Sequence, residues 1–133
     1  MKDADFRAIL ANHAPLIAQV GTRIYPVNFP QAVEHPAIRY NKINGNIGLH
    51  MQGSDGLPDT LMQIDVRGTT ALSVITVRDI LVELLHAYRG TQGSTDFRIV
   101  YLNADRGLRH EKPNNVDLYI ATLDFSILSR AAA

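Results

Sequence analysis

Asp65, Arg67 and Asp124 are the side chains of this sequence whose types and spacing invite a chemical reading. Asp65 and Arg67 belong to the run Leu-Met-Gln-Ile-Asp-Val-Arg at 61–67, where Met62, Ile64 and Val66 alternate with Gln63, Asp65 and Arg67. That is the period of a strand with one buried and one polar face. Asp124 stands in a second alternating run, in which Tyr119, Ala121, Leu123, Phe125 and Ile127 oppose Thr122, Asp124 and Ser126. If the two strands are neighbours, both carboxylates share one sheet face and can approach each other. A carboxylate pair performs general acid–base work when burial raises one of its pKa values. The competing reading is a salt-bridge patch that faces solvent or another subunit. No nucleophile, histidine or pocket-forming glycine accompanies the pair, and this favours the patch. An enzyme using Asp65 and Asp124 stands as the alternative.

Other chemistries lack their patterns. His13, His35, His50, His86 and His110 show no i, i+4 pairing around a glutamate, so no helical zinc site is expected. Gly45 and Gly48 lack the Lys-Ser/Thr of a phosphate loop, and there is no Gly-x-Ser-x-Gly elbow. Neither a metal nor a cofactor is expected. Thirteen basic residues balance thirteen acidic ones, so the formal charge of zero advertises neither nucleic acid nor membrane. The absence of cysteine removes disulfides and thiolate chemistry and fits a reducing compartment. No apolar run approaches the roughly 20 residues of a membrane span. Asp3 and Asp5 stand where a signal peptide is positive, so synthesis in the cytoplasm is expected.

The elements that must position these residues centre on 61–90. The strand at 61–67 turns through Gly68-Thr69-Thr70, whose hydroxyls can cap a helix start. From Ala71, residues Val74, Val77, Leu81, Leu84, Leu85 and Tyr88 recur at helical spacing. This predicts an amphipathic helix of about five turns with Gly90 as its C-cap. An N-terminal helix carries Phe6, Ile9 and Leu10, with Asp3 or Asp5 as cap and Pro15 ending it near His13; Pro15 can start a second short turn that Gly21 stops. Pro26, Pro30 and Pro36 make 22–36 extended, with Tyr25 and Phe29 anchoring it to the core. A strand at 37–43 sets Ile38 and Tyr40 against Arg39 and Asn41.

Gly45, Gly48, Gly53, Gly56 and Pro58 mark 44–60 as a flexible arm or loop, with an apolar patch from Ile47 to Met51 that can form one arm of a projecting hairpin. Further on, 91–95 reads as a loop and 96–102 as a strand with Phe97, Ile99 and Tyr101 on one face. The polar stretch 103–115, with Arg106, Arg109, His110, Glu111 and Lys112, reads as a hairpin tip. Residues 116–128 read as the longest strand, with a bulge or twist near Leu118, and 129–133 as a frayed tail. The length suits one domain, 1–133, burying roughly two thirds of its unfolded surface. The expected fold is α+β: a two-layer sandwich of a mostly antiparallel sheet, four or more strands, with two helices on one face.

The order of segments resembles a known family. Val20-Gly21-Thr22-Arg23-Ile24-Tyr25-Pro26 follows the N-terminal helix, and His35-Pro36-Ala37-Ile38-Arg39-Tyr40 enters a strand. Gln63-Ile64-Asp65-Val66 leads into the long helix, and Leu123-Asp124-Phe125-Ser126-Ile127 closes the chain. This succession resembles the tail-completion proteins of long-tailed bacteriophages and prophages, also called tail terminators or head-to-tail joining proteins. The resemblance covers nearly the whole chain and rests on order, spacing and length. It implies an α+β subunit of the virion that assembles into a ring, typically a hexamer. The ring caps the tail tube, stops its growth and docks the head. Its partners are copies of itself, the major tail tube protein and a head-completion or connector protein. DNA passes through its lumen without sequence-specific binding. The family brings no catalytic residues, and Gly21, Tyr25, Pro26 and Pro36 read as structural.

Combined with the residue reading, this makes Arg39, Asp65, Arg67, Asp124, Ile47, Met51, Arg106 and Arg109 the candidate subunit or tail interface. A ring needs two different patches that fit each other. Two alternatives keep the fold and change the role. One is another small head-completion or minor tail protein. The other is a ligand-binding module with a pocket lined by Tyr25, Tyr40 and Tyr101.

Overall fold

The computed structural model describes residues 1–46, 49–50, 53–54 and 59–132. Its elements in chain order are α1 (Asp3–Ala11), α2 (Ala14–Val20), β1 (Ile24–Pro26), β2 (Ala37–Asn46), β3 (Leu49–His50), β4 (Gly53–Ser54), β5 (Asp59–Gly68), α3 (Ala71–Leu85), β6 (Tyr88–Gln92), β7 (Thr95–Glu111), a 3₁₀ turn (Pro113–Asn115) and β8 (Leu118–Ala131). Six strands form one sheet in the order β1-β2-β5-β8-β7-β6, antiparallel except where β1 joins β2. β3 and β4 pair as a small separate hairpin. The architecture is the expected α+β sandwich, with three α-helices among the described residues.

The alternating runs decide the layers. Ile38, Tyr40, Met62, Ile64, Val66, Ala121, Leu123, Phe125 and Ile127 fill one sheet face and pack in a single buried cluster with Phe6, Ile9 and Leu10 of α1, Leu16 and Val20 of α2, and Val74, Val77, Leu81 and Leu85 of α3. Burying a side chain of this size stabilises by about 1.5–3 kcal/mol each. α3 starts as its residues dictate, with Thr70 Oγ1 accepting the Ser73 N–H at 3.2 Å. α1 is entered from Lys2 without a side-chain cap, because the Asp5 carboxylate instead accepts the hydroxyls of Ser94 and Thr95 at 3.1 and 2.6 Å. Pro15 lies in the first turn of α2, and Gly21 ends it at φ 57°.

Several expectations change. α3 stops at Leu85, and Tyr88 begins a strand; the residue with positive φ after the helix is Ala87, at 66°. Gly90 is a strand residue and no cap. Tyr88 keeps its place in the core by packing edge-on against Phe97 at 6.1 Å. The segment 91–95 is the turn of the β6–β7 hairpin. β7 is the longest strand, not β8, and the stretch 103–111 is strand paired to β8 down to Glu111, so the hairpin tip is confined to 112–117. Three one-residue bulges on β7 explain how its 17 residues match the 14 of β8. Bulges add twist and bend, so the sheet curls at this side. The bulge between Phe97 and Ile99 also divides the expected face: Phe97 and Val100 are buried, while Ile99 and Tyr101 turn to the opposite side. The C-terminal residues up to Ala131 continue β8, with Ser129 fully buried and Arg130 paired to Asp96 at 3.2 Å. The expected fray is replaced by ladder bonds to β7. No described helix is long and apolar enough to cross a membrane.

Candidate interface on the polar face of the sheet

The polar face is built by the residues that alternate with the core. β2 brings Arg39, paired in register with Asp65 of β5, which in turn lies opposite Thr122 of β8. One step along, Ala37, Arg67, Ile120 and Arg109 form the next row. One step the other way are Asn41, Gln63, Asp124 and Ala104. Arg106 falls on the last bulge of β7 and reaches back to Asp124. The six charged residues singled out in the sequence therefore meet on one surface. Ile47 and Met51 lie outside the described residues.

The two aspartates are buried, Asp65 at 5% and Asp124 at 2% exposure, although no described helix covers this face. Arginines cover them. Asp65 Oδ2 accepts both Nε and Nη2 of Arg39, the first at 2.9 Å, and its Oδ1 accepts the Thr122 hydroxyl at 2.7 Å. Asp124 Oδ2 accepts Nε and Nη2 of Arg106, both at 2.8 Å. Its Oδ1 has no partner among the described residues. β5 and β8 are neighbours, as the carboxylate-pair reading requires, but each carboxylate is engaged by its own arginine. The result is two parallel ion pairs and no carboxylate dyad. Buried charges persist when paired and hydrogen-bonded in this way.

Arg67 and Arg109 have no acidic partner within salt-bridge distance among the described residues. Arg67 lies over the Phe29 ring, 4.1 Å from its centroid, and donates from Nε to His35 Nε2 at 3.2 Å. Arg39 shares the same ring from 5.0 Å. Burial first, and then the charges of Arg67 and Arg23, hold the His35 pKa below its ordinary value, so His35 accepts as a neutral base. Burial, followed by the like charge of Arg39, also lowers Arg67, with Glu111 opposing. Arg109 is exposed and touches the Thr122 hydroxyl at 3.5 Å.

The sequence reading missed Phe29 and His35 here. Phe29 does not anchor 22–36 to the core. It packs edge-on against Tyr25 at 6.5 Å on the polar side, while Ile24 takes the buried place. Tyr25 lies in register with Arg39, and that alternation with Ile24 was the available signal. The three tyrosines of the pocket alternative are not gathered: Tyr40 is in the core, Tyr25 is on β1, and Tyr101 is on β7, with three strands between β7 and β1. Among the described residues no three His, Asp or Glu side chains come together as a metal site needs. A shallow groove of about 330 Å³ lies between α2 and α3, lined by His13, Pro15, Ile80, Glu83 and Leu84. His13 is the half-buried residue preceding α2.

No protein-family model matches the sequence, and no curated protein matches it. Among solved structures, the chain is similar to one described as "Virion of native gene transfer agent (GTA) particle". The TM-score is 0.71 at 13% identity, covering 97% of this chain and 93% of that chain. At that identity the likeness establishes a shared fold, extending over almost the full length of both chains.

Proposed function

We propose that this protein is a structural component of a virion: a tail-completion subunit that forms a ring, a hexamer, on the tip of the tail tube. The ring stops tail growth and presents the surface to which the head docks. Its partners are further copies of itself, the major tail tube protein and a head-completion or connector protein, and the genome passes through its lumen. The observation that carries this reading is the end-to-end likeness to a chain of a gene transfer agent virion. The succession of segments from Val20 to Ile127 supports it independently. The arginine-rich polar face supplies a surface for subunit or tail contacts, with Arg39, Arg67, Arg106 and Arg109 outward and Asp65 and Asp124 beneath them. Charge pairs at such surfaces set register and association rate more than affinity. The test is tail assembly in the absence of this chain, scored by electron microscopy. Tails that overrun their normal length and stay headless are expected. Tails of normal length joined to heads overturn the terminator role.

A further inference from the structure

We infer that Arg67 and Arg109, the two arginines of the polar face without an acidic partner, receive Glu83 from α3 of a second copy of this chain. The polar face of one subunit then rests on the helix layer of the next. The inference rests on the ring reading and names the two patches that would build the ring.

Two of the four arginines first singled out on this face are engaged within the subunit, Arg39 by Asp65 and Arg106 by Asp124. Arg67 and Arg109 stand in one row on either side of Ile120, two strand spacings or about 10 Å apart. Arg109 Nη2 comes within 3.5 Å of the Thr122 hydroxyl, so its head leans over β8 towards Arg67. Arg67 is held in advance. Its head rests on the Phe29 ring and its Nε is tied to His35, which leaves both terminal nitrogens for an incoming group. A guanidinium stacked and oriented in this way loses little freedom when it takes a carboxylate. Ile120, 8% exposed, floors the gap with apolar surface, where a charge pair is stronger than in open water. Arg67 and Arg109 bring two positive charges to this corner and Glu111 brings one negative charge. One further carboxylate balances it.

The carboxylate that fits must be exposed, unengaged and on another side of the subunit. Asp3 is paired with Lys42 at 3.2 Å, Asp79 with Arg78 at 3.2 Å and Asp117 with His110 at 2.9 Å. Asp5 accepts the hydroxyls of Ser94 and Thr95, Asp96 lies between Arg98 and Arg130, and Asp105 accepts the Gly107 N–H. Glu34 precedes His35, the acceptor of Arg67 Nε, and so belongs to the receiving patch itself. Glu83 is exposed and has neither a hydrogen-bonding nor a charged partner among the described residues. Leu81 and Leu85, two positions to either side, are fully buried, which turns Glu83 to the outside of α3. It stands at the α2–α3 groove beside the half-buried Ile80 and Leu84. The carboxylate is thus flanked by apolar surface that a second copy covers.

The patches lie on opposite layers of the sandwich, so each copy offers both at once. They differ from each other, which makes the contact heterologous and able to generate a ring. The formal net charge of zero adds no general repulsion between copies.

Charge exchange tests the pairing. Glu83→Arg, Arg109→Glu and the chain carrying both are compared with the unsubstituted chain by native mass over a concentration series, with a thermal melt to check folding. Arg67 is left in place because Phe29 and His35 pack and bond to it. Each single reversal is expected to raise the concentration for half assembly about tenfold or more, and the exchange to return it to within about threefold of the unsubstituted value. Should a reversal fail to fold, Glu83→Gln and Arg109→Gln serve instead; there the double change should weaken assembly no more than either single. A ring of fixed mass that the single changes leave intact, or that the exchange does not restore, overturns the pairing and leaves the ring reading standing. Open-ended multimers that the singles abolish and the exchange restores support the pairing and overturn the ring. Assembly that stops at two copies, or a chain monomeric at every concentration, overturns both. Duplex DNA bound by the unsubstituted chain and lost with Arg109→Glu, while assembly is unchanged, assigns these arginines to phosphate and overturns the pairing.

Discussion

Asp65 shows why the polar face must be tested one residue at a time. Its carboxylate is 5% exposed and depends on Arg39 and Thr122. Arg39→Ala leaves a buried carboxylate with a hydroxyl alone, and is expected to cost about 2–3 kcal/mol in a denaturant melt. A cost below about 0.5 kcal/mol, the scale of ordinary surface changes, would mean that water replaces the guanidinium freely. His35 makes a pH prediction. Its folded pKa lies below the ordinary 6.5 because of burial and the nearby Arg67 and Arg23. Above 6.5 both folded and unfolded states hold it neutral and its contribution is complete. As pH falls from 6.5 towards the folded pKa, the unfolded state binds the proton first, so stability declines through that window and then levels. His35→Gln keeps an acceptor for Arg67 without titrating, so its stability should fall less steeply over the same interval. Equal slopes for the two chains would remove His35 from the account.

At the scale of elements, the connection from β5 to α3 is closely packed. A Cβ built on Gly68 meets Ser73 Oγ and Val74 Cγ2, both at 2.8 Å. Gly68→Ala should therefore destabilise by about 1–3 kcal/mol, since the helix start must move away from the strand. Leu81→Ala, in the fully buried stripe of α3, should cost about 2–5 kcal/mol. A loss under 0.5 kcal/mol would mean that the stripe is not load-carrying. This stripe was legible because helical spacing and burial coincide from Val74 to Leu85. Its end was not, since Tyr88 also falls at helical spacing although it belongs to β6. Arg39, Asp65, Arg67 and Asp124 were legible as one face because period-two alternation places them there whatever the tertiary detail. Arg106 and Arg109 were found as residues but assigned to a loop. The outer half of β7 carries mostly exposed or half-buried side chains, and its bulges interrupt the alternation that marks a strand. Burial of Asp65 and Asp124 was invisible for a different reason. It is made by Arg39 and Arg106 reaching in from other strands, and no local pattern encodes it.

At the scale of the whole molecule, fold stability and assembly should separate according to which face a substitution touches. The helix side of the sheet carries the apolar cluster, so Leu81→Ala weakens the fold itself. The polar side holds arginines of two kinds. Arg39 and Arg106 cover buried aspartates, and Arg67 is tied to Phe29 and His35, so changing any of these also disturbs the subunit. Arg109 is exposed, and its hydroxyl contact with Thr122 is long at 3.5 Å. It also lies on β7 opposite Ile120, at the margin of the polar face. Arg109→Glu is therefore expected to leave the denaturation midpoint unchanged within about 0.5 kcal/mol. The same change reverses a charge at the proposed contact, and should slow ring formation or its seating on the tail. Salt should alter that defect, because exposed charges are screened beyond about 8–10 Å at ordinary ionic strength. Complementation of a strain lacking this chain, scored by the distribution of tail lengths, reads the effect directly. Lengthened tails from a stably folded Arg109→Glu chain are the expected result. Wild-type tail lengths and wild-type yield of joined particles would show that the polar face near β7 takes no part in assembly.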